Sequence, residues 1–182
     1  MPPYSCSTNH PYCDSKSPEA LSGEKDACGV GFLAQINGIP SHWVLQQALR
    51  GLKCMEHRGG CGGDGDSGDG AGILCAIPWN YLKEIWPAAQ DVNDSYALGM
   101  IFLPNDEKQR ETTKKIFQAE AEALGFRCKG WRLVPIKPLV LGPLAKETVP
   151  FIEQWLIEGN DKGDSLEQLL YRLRKRIEIK YL

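Results

Sequence analysis

Cys28 and Arg58 are the two residues of this sequence whose types and settings are best suited to chemistry. Cys28 lies in the run DACGVGF, and Arg58 begins the run RGGCGGDGDSGDGAG, which holds eight glycines in fifteen residues. A thiol attacks carbon efficiently only as the thiolate, so it needs a base. Ala27 and the glycines beside Cys28 supply none. If the chain were cut after Ala27, the α-amino group of Cys28, with a reference pKa of about 7.7–8.0, would be that base.

The segment before Cys28 has the composition of a disposable leader. Residues 1–27 are polar, contain Ser and Pro, and show neither a helical nor a strand period, which predicts disorder. They lack the basic and apolar regions of a secretory signal, and Asp14 and Glu19 argue against a transit peptide. The sequence therefore predicts a leader at 1–27, removed in the mature protein, and an ordered domain at 28–182.

Arg58 lies where a predicted helix meets a glycine loop. Its planar guanidinium matches a carboxylate in a bidentate fashion, although a helix-end arginine that satisfies backbone carbonyls is an alternative. The glycines allow close backbone approach, and Asp69 could accept hydrogen bonds from the loop amides in a structural role. The alternative for Cys28 is a buried structural thiol.

Three other motifs overlap the glycine-rich run. The GxGxxG match at 63–68 follows a predicted helix and precedes a predicted strand, the reverse of a dinucleotide site, so it is excluded. The aspartates fail as a calcium loop because Cys75 stands where a glutamate belongs. A zinc site formed by Cys54, His57, Cys61 and Cys75 stays open as an alternative.

The overall composition is that of a globular domain. The chain has 182 residues, with 21 Lys+Arg against 23 Asp+Glu, 42% apolar and 24% charged residues. This balance argues against a nucleic-acid-binding module, and no apolar run approaches the ~20 residues that span a bilayer. Seven cysteines, an odd number, favour a reducing compartment over a disulfide framework.

The hydrophobic pattern predicts a chain of mixed helices and strands. Strands are predicted at 29–36, 73–77, 96–103 and 131–136. Helices are predicted at 41–56, 80–86, 105–124, 151–158 and 165–182. Ser41 and either Asn105 or Asp106 are the expected N-caps, and Gly125 is the expected residue after a helix end. The chain ends within the last helical pattern, so we expect it to be a truncated N-terminal piece of a longer protein.

The combination of CGVGF, HRGG and GDGAGI resembles the class II glutamine amidotransferases, which are N-terminal-nucleophile hydrolases. Within that class, the chain is most similar to the domain that begins the large subunit of glutamate synthases. The runs GWRLVPI, LGPLAKETVP and LYRLRKRIE extend this similarity over about residues 24–182.

The resemblance implies a fold of the α+β class, a four-layer α/β/β/α sandwich truncated at its C-terminus. It also implies that Cys28 forms a thioester with L-glutamine and releases ammonia, and that Arg58 binds the α-carboxylate of glutamine. In the parent enzyme the ammonia would aminate 2-oxoglutarate to L-glutamate, with FMN and an iron–sulfur cluster in other domains of the same chain. The electron donor would be ferredoxin or a pyridine-nucleotide-linked small subunit. No cofactor, metal, nucleic acid or membrane is expected at this domain.

Two expected parts of the family's site lie beyond residue 182, the Asn-Gly pair of the oxyanion hole and the carboxylate that binds the substrate amine. We therefore expect little glutaminase activity from this piece alone. The alternatives are another class II amidotransferase, a non-catalytic glutamine-sensing module, and a zinc-stabilised interaction domain. The expected location is the cytoplasm, or the plastid stroma in a plant or alga.

Overall fold

The computed structural model describes residues 29–55, 59–60, 62–68 and 70–181. Within these residues the helices are α1 (His42–Cys54), α2 (Trp79–Ile85), α3 (Glu107–Ala123), α4 (Pro143–Thr148) and α5 (Gly163–Tyr181). The strands are β1 (Tyr96–Leu103), β2 (Arg127–Leu133) and β3 (Phe151–Glu158). Short 3₁₀ turns lie at Pro87–Ala89 and Pro138–Val140.

The chain divides into two compact units. The first comprises the chain up to Ala76 together with Lys137–Val149, and the second comprises Ile77–Ile136 together with Pro150–Leu182. The first unit therefore holds α1 and α4, while the second holds the three strands and α2, α3 and α5. No helix of the described residues has the length and apolar character needed to cross a bilayer.

The second unit is built on a three-stranded antiparallel sheet in the order β1-β3-β2. Tyr96 pairs with Glu158 along β1 and β3, and Trp131 pairs with Trp155 along β2 and β3. The last strand in the sequence is thus the central one. This sheet with its helices confirms the predicted α+β class.

The main core of the second unit lies on one face of the sheet. The indole rings of Trp131 and Trp155 stack with centroids 5.2 Å apart, and Phe117 of α3 meets Trp155 edge-on at 5.4 Å. This is the offset or T-shaped arrangement that aromatic quadrupoles favour. The buried members of this core are Ala121, Phe126, Trp155, Ile157, Leu166, Leu173 and Ile177.

A buried carboxylate joins the two helices over this core. The side chain of Glu120 on α3 is 3% exposed, and its Oε2 accepts a hydrogen bond from Arg176 Nε of α5 at 2.6 Å. Lys180, one turn further along α5, pairs with the other carboxylate oxygen. Hydrogen bonds from Lys180 and then Arg176 lower the pKa of Glu120. The ion pairs therefore fix the register of α3 against α5.

Local capping chemistry confirms the predicted bounds of α3. The carboxylate of Asp106 accepts a hydrogen bond from the backbone N–H of Gln109 at 2.8 Å, as an N-cap does. The helix ends at Leu124, and Gly125 follows with a φ of +82°. Glycine adopts that left-handed conformation without the steric penalty of a Cβ.

The helix predicted at 151–158 is wrong, because these residues form β3. Glu153, Trp155 and Ile157 alternate along the strand and are buried on the α3/α5 side. Leu156 points to the other face and is buried with Leu82 of α2. A strand covered on both faces carries apolar residues in a nearly continuous run, which periodicity alone does not distinguish from a buried helix.

The strands predicted at 29–36 and 73–77 are also absent from the described structure. Val30 and Phe32 are each 94% exposed, and Leu74 is fully exposed. A strand is stabilised by hydrogen bonds to a neighbouring strand and by a covered face, and neither segment pairs with a described strand. The first of these segments ends in a turn, since Gly38 donates its N–H to Gln35 O at 3.0 Å and has a φ of +67°.

Replacing Leu156 with alanine is expected to destabilise the protein by about 2–5 kcal/mol, because Leu156 is fully buried and its truncation leaves a cavity. Leu133→Ala is the matched control, since Leu133 is 57% exposed on β2 and its loss should cost less than about 1 kcal/mol. Urea denaturation followed by tryptophan fluorescence measures both. Equal midpoints for the two variants would contradict the central position of β3.

Candidate active site

Cys28 and Arg58, the two predicted site residues, lie outside the described residues, as do His57, Cys61 and Asp69. Their roles therefore stay predictions. The structure does describe Gly29, directly after Cys28, and Met55, Gly59 and Gly60 on either side of Arg58. All of these neighbours belong to the first unit.

Gly29, which directly follows Cys28, packs against Met55. A Cβ atom placed on Gly29 would lie 2.9 Å from the Met55 Sδ, closer than real Cβ contacts come. Met55 is the C-cap of α1 and precedes Arg58 by three residues. The fold thus brings together the chain neighbours of the two predicted site residues.

Helix α1 positions Met55. Its N-cap is the predicted one, with Ser41 Oγ accepting a hydrogen bond from the Trp43 N–H at 3.2 Å. The helix ends earlier than predicted, where the Met55 N–H donates to Leu52 O at 3.1 Å. The apolar residues Val44, Leu45, Ala48 and Leu52 of α1 are half-buried, and no residue of the helix is fully buried.

The glycine loop between Gly62 and Gly68, hereafter the anchored loop, is closed on itself by Asp64. One carboxylate oxygen of Asp64, Oδ1, accepts the backbone N–H of Ser67 at 2.8 Å and that of Asp66 at 3.2 Å. The other, Oδ2, accepts the Ser67 hydroxyl at 2.6 Å. Gly62 donates its N–H to Ser67 O at 2.5 Å, which joins the two ends of the turn.

The anchored loop is also bound to the first turn of α4. Asp64 Oδ2 accepts the Leu144 N–H at 3.0 Å, and Ser67 Oγ accepts the Ala145 N–H at 3.1 Å. These N–H groups lack intrahelical partners at a helix start, so side chains about eighty residues away satisfy them. Gly142, before α4, lies so close that a Cβ there would be 2.5 Å from the Ser67 nitrogen.

The same hydrogen bonds determine the charge state of Asp64. The Ser67 hydroxyl, then the Leu144 N–H and the Ser67 N–H, hold the pKa of Asp64 well below its usual range. Because the folded-state pKa is lowered, this stabilisation is fully present above the unfolded-state pKa and is lost as the pH falls towards the folded-state value. At neutral pH Asp64 is a fixed hydrogen-bond acceptor rather than a proton donor.

The sequence places Asp64 in the glycine-rich loop but does not predict its contact with Leu144 or the close approach of Gly142, and it assigns the structural role in the loop to Asp69. An aspartate whose carboxylate accepts hydrogen bonds from the backbone N–H groups two and three residues later is a known turn signal. Asp64 has this relation to Asp66 and Ser67. Gly-Pro at 142–143 is typical of a helix start, although the hydrophobic pattern predicts no helix at Pro143–Thr148. Nothing in the local pattern reveals that the two segments are joined.

The zinc alternative is only partly covered by the structure. Its described members, Cys54 and Cys75, are both exposed, while His57 and Cys61 lie outside the described residues. Across the part of the chain that is described, no three His, Cys, Asp or Glu side chains come together as a metal site would require.

Comparisons with known proteins identify the family. The family model for class II glutamine amidotransferases matches residues 28–182. The chain is 42% identical over 166 residues to ferredoxin-dependent glutamate synthase 1, chloroplastic/mitochondrial, of Arabidopsis thaliana, covering 88% of this chain and 10% of the relative. It is 43% identical over 173 residues to ferredoxin-dependent glutamate synthase of Pyropia yezoensis, covering 93% of this chain and 11% of the relative. The chain thus spans about a tenth of the length of these relatives. It belongs to the class II glutamine amidotransferases.

Proposed function

We propose that this chain is the glutamine-hydrolysing part of a glutamate synthase and that it supplies ammonia for the amination of 2-oxoglutarate to L-glutamate. The family match over residues 28–182 and the names of the relatives support this assignment. The structural observation that carries it is the Gly29–Met55 contact. It joins the segment that begins with Cys28 to the helix end that leads to Arg58.

In the proposed mechanism the leader 1–27 is removed and Cys28 becomes the N-terminal residue. Its α-amino group takes the thiol proton, and the thiolate attacks the side-chain amide carbon of glutamine. The tetrahedral intermediate expels ammonia as the protonated amine returns its proton to the leaving nitrogen, which leaves a thioester on Cys28. Water, deprotonated by the same amine, then hydrolyses the thioester to glutamate and free thiol.

Arg58 is proposed to bind the α-carboxylate of glutamine through two parallel N–H···O bonds. Met55, three residues before Arg58, contacts Gly29, and the anchored loop, which begins four residues after Arg58, is bound to α4. This arrangement supports a substrate-holding role at a distance from the reacting amide.

We further propose that the domain is an N-terminal-nucleophile sandwich of four layers, extending from Cys28 beyond the sheet described here. Helices α3 and α5 cover one face of that sheet. On its other face Met100 and Phe102 of β1 are 50% and 65% exposed. Helix α2 covers the part of this face around Leu156 and leaves Met100 and Phe102 uncovered. Exposed apolar residues on a sheet face are what a second sheet would cover in such a sandwich.

FMN, an iron–sulfur cluster and the electron donor are assigned to the rest of the proposed synthase. The described cysteines do not fit an iron–sulfur cluster, because Cys128 Sγ accepts the indole N–H of Trp155 at 3.3 Å in the core, while Cys54 and Cys75 are exposed. The relatives are named as ferredoxin-dependent, which favours ferredoxin over a pyridine-nucleotide-linked subunit. Chloroplastic names among them favour the plastid stroma over the cytoplasm.

Arg58→Lys in the full-length protein is expected to raise the KM for glutamine about tenfold or more, with a smaller change in kcat. Lysine keeps the charge and loses the paired donors, and a hydrogen bond to a charged group contributes roughly 1.5–3 kcal/mol. Because the α-carboxylate is remote from the reacting amide, the ground state and the transition state should lose similar amounts of binding energy. Steady-state kinetics with glutamine and, separately, with ammonium measure the effect.

Arg50→Lys is the matched control, since Arg50 is an exposed arginine of α1 and should leave both parameters unchanged. The ammonium-dependent rate should be the same in all three proteins. A glutamine KM unaltered by Arg58→Lys in a folded protein would show that Arg58 only caps the end of α1.

A further inference from the structure

We propose that Asp64 is a positioning residue for glutamine binding, because it holds the anchored loop on α4 and thereby orders the chain that follows Arg58. This inference rests on the proposed glutaminase function. It assigns a role to a third residue, besides the nucleophile Cys28 and the carboxylate-binding Arg58. The contacts that support it all lie within the first unit.

The contacts of Asp64 are those of a structural anchor. Its two oxygens accept four hydrogen bonds, three from within the loop and one from Leu144 at the start of α4. Ser67 adds the second link to α4 through Ala145. The loop and the helix are thereby joined at two points, both of which depend on side chains of the loop.

The composition of the chain beside Arg58 explains why an anchor is needed. Gly59, Gly60, Cys61, Gly62 and Gly63 separate Arg58 from Asp64. Glycine has the largest backbone freedom of any residue, so this stretch would sample many conformations if its far end were not fixed. A binding segment that is ordered before the ligand arrives does not lose that freedom on binding, which improves affinity.

A substitution at Gly142, the residue before α4, would break the contact between the anchored loop and α4 without changing the sequence of the loop. Its backbone, with φ −66° and ψ 165°, is a conformation that any residue adopts. A Cβ there would nevertheless lie 2.5 Å from the Ser67 nitrogen and 2.8 Å from the Asp66 carbonyl carbon. Gly142→Ala should therefore displace the loop without changing its sequence and without straining α4.

The test compares Asp64→Asn and Gly142→Ala in the full-length protein. Asparagine replaces one of the two acceptor oxygens with an NH2 donor, so it cannot accept both from the loop amides and from the Leu144 N–H, while the loop keeps its size. Both variants are expected to raise the glutamine KM about tenfold, the effect of losing one hydrogen bond to a charged group. The kcat should change less than about threefold, and the ammonium-dependent rate should not change.

Asp66→Asn is the matched control, because it makes the same chemical change at an exposed carboxylate of the same loop.

Glutamine KM values equal to that of the wild type in both variants would overturn the proposal, as would a loss confined to kcat. If Asp64→Asn or Gly142→Ala fails to fold, Ser67→Ala removes one link to α4 and should still raise the KM about threefold; an unchanged KM in that variant overturns the proposal. A wild-type protein that releases no ammonia from glutamine would instead contradict the proposed glutaminase function, and this result differs from those that overturn the role of Asp64.

Discussion

Cys28→Ala in the full-length protein is expected to abolish ammonia release from glutamine while glutamate formation from added ammonium continues. The thiol is the proposed site of covalent attachment, and alanine offers no nucleophile in its place. In another enzyme, removal of the catalytic nucleophile lowers kcat by a factor on the order of 10⁶. A loss of that size would reduce ammonia release to the background rate. The measurement is ammonia release from glutamine alongside the ammonium-dependent rate.

Cys75→Ala is the matched control, because Cys75 is an exposed thiol of the first unit and should be dispensable. A chloroketone analogue of glutamine, followed by peptide mass analysis, should label the wild type and Cys75→Ala at Cys28 and should leave Cys28→Ala unlabelled. Glutamine-dependent ammonia release that persists in Cys28→Ala would refute the assignment of the nucleophile.

Retention of the leader is expected to lower glutamine hydrolysis by about 10²–10⁴-fold, the range that general-base catalysis contributes. With residues 1–27 attached, the nitrogen of Cys28 is an amide, which does not accept the thiol proton at neutral pH. Ala27 and Gly29, its immediate neighbours, have no side chain that could replace this base. The experiment uses a protein in which substitution of Ala27 blocks removal of the leader, as verified by intact mass.

The control for this experiment is a protein whose chain starts at Cys28, which should have full activity with no processing step. Its N-terminal residue is confirmed by sequencing. An active protein that still carries residues 1–27 would exclude the α-amino group as the base, while leaving the role of Cys28 as nucleophile to be judged by Cys28→Ala.

Features that depend only on neighbouring residues could be predicted from the sequence. The caps at Ser41 and Asp106 and the left-handed Gly125 follow from side chains and backbone preferences within a few positions, and the structure confirms them. The motifs around Cys28 and Arg58 led to the family that the comparisons then showed. The roles of these two residues, which lie outside the described structure, stay predictions.

Features that depend on distant partners could be established only from the three-dimensional structure. Residues 151–158 form a strand because β1 and β2 pair with them on either side, and the apolar run at 29–36 is not a strand because no described strand pairs with it. The hydrogen bond from Leu144 to Asp64 spans eighty residues. Hydrogen-bonded pairing and side-chain burial are properties of segments that meet in space, and a local pattern of residue types does not specify which segments those are.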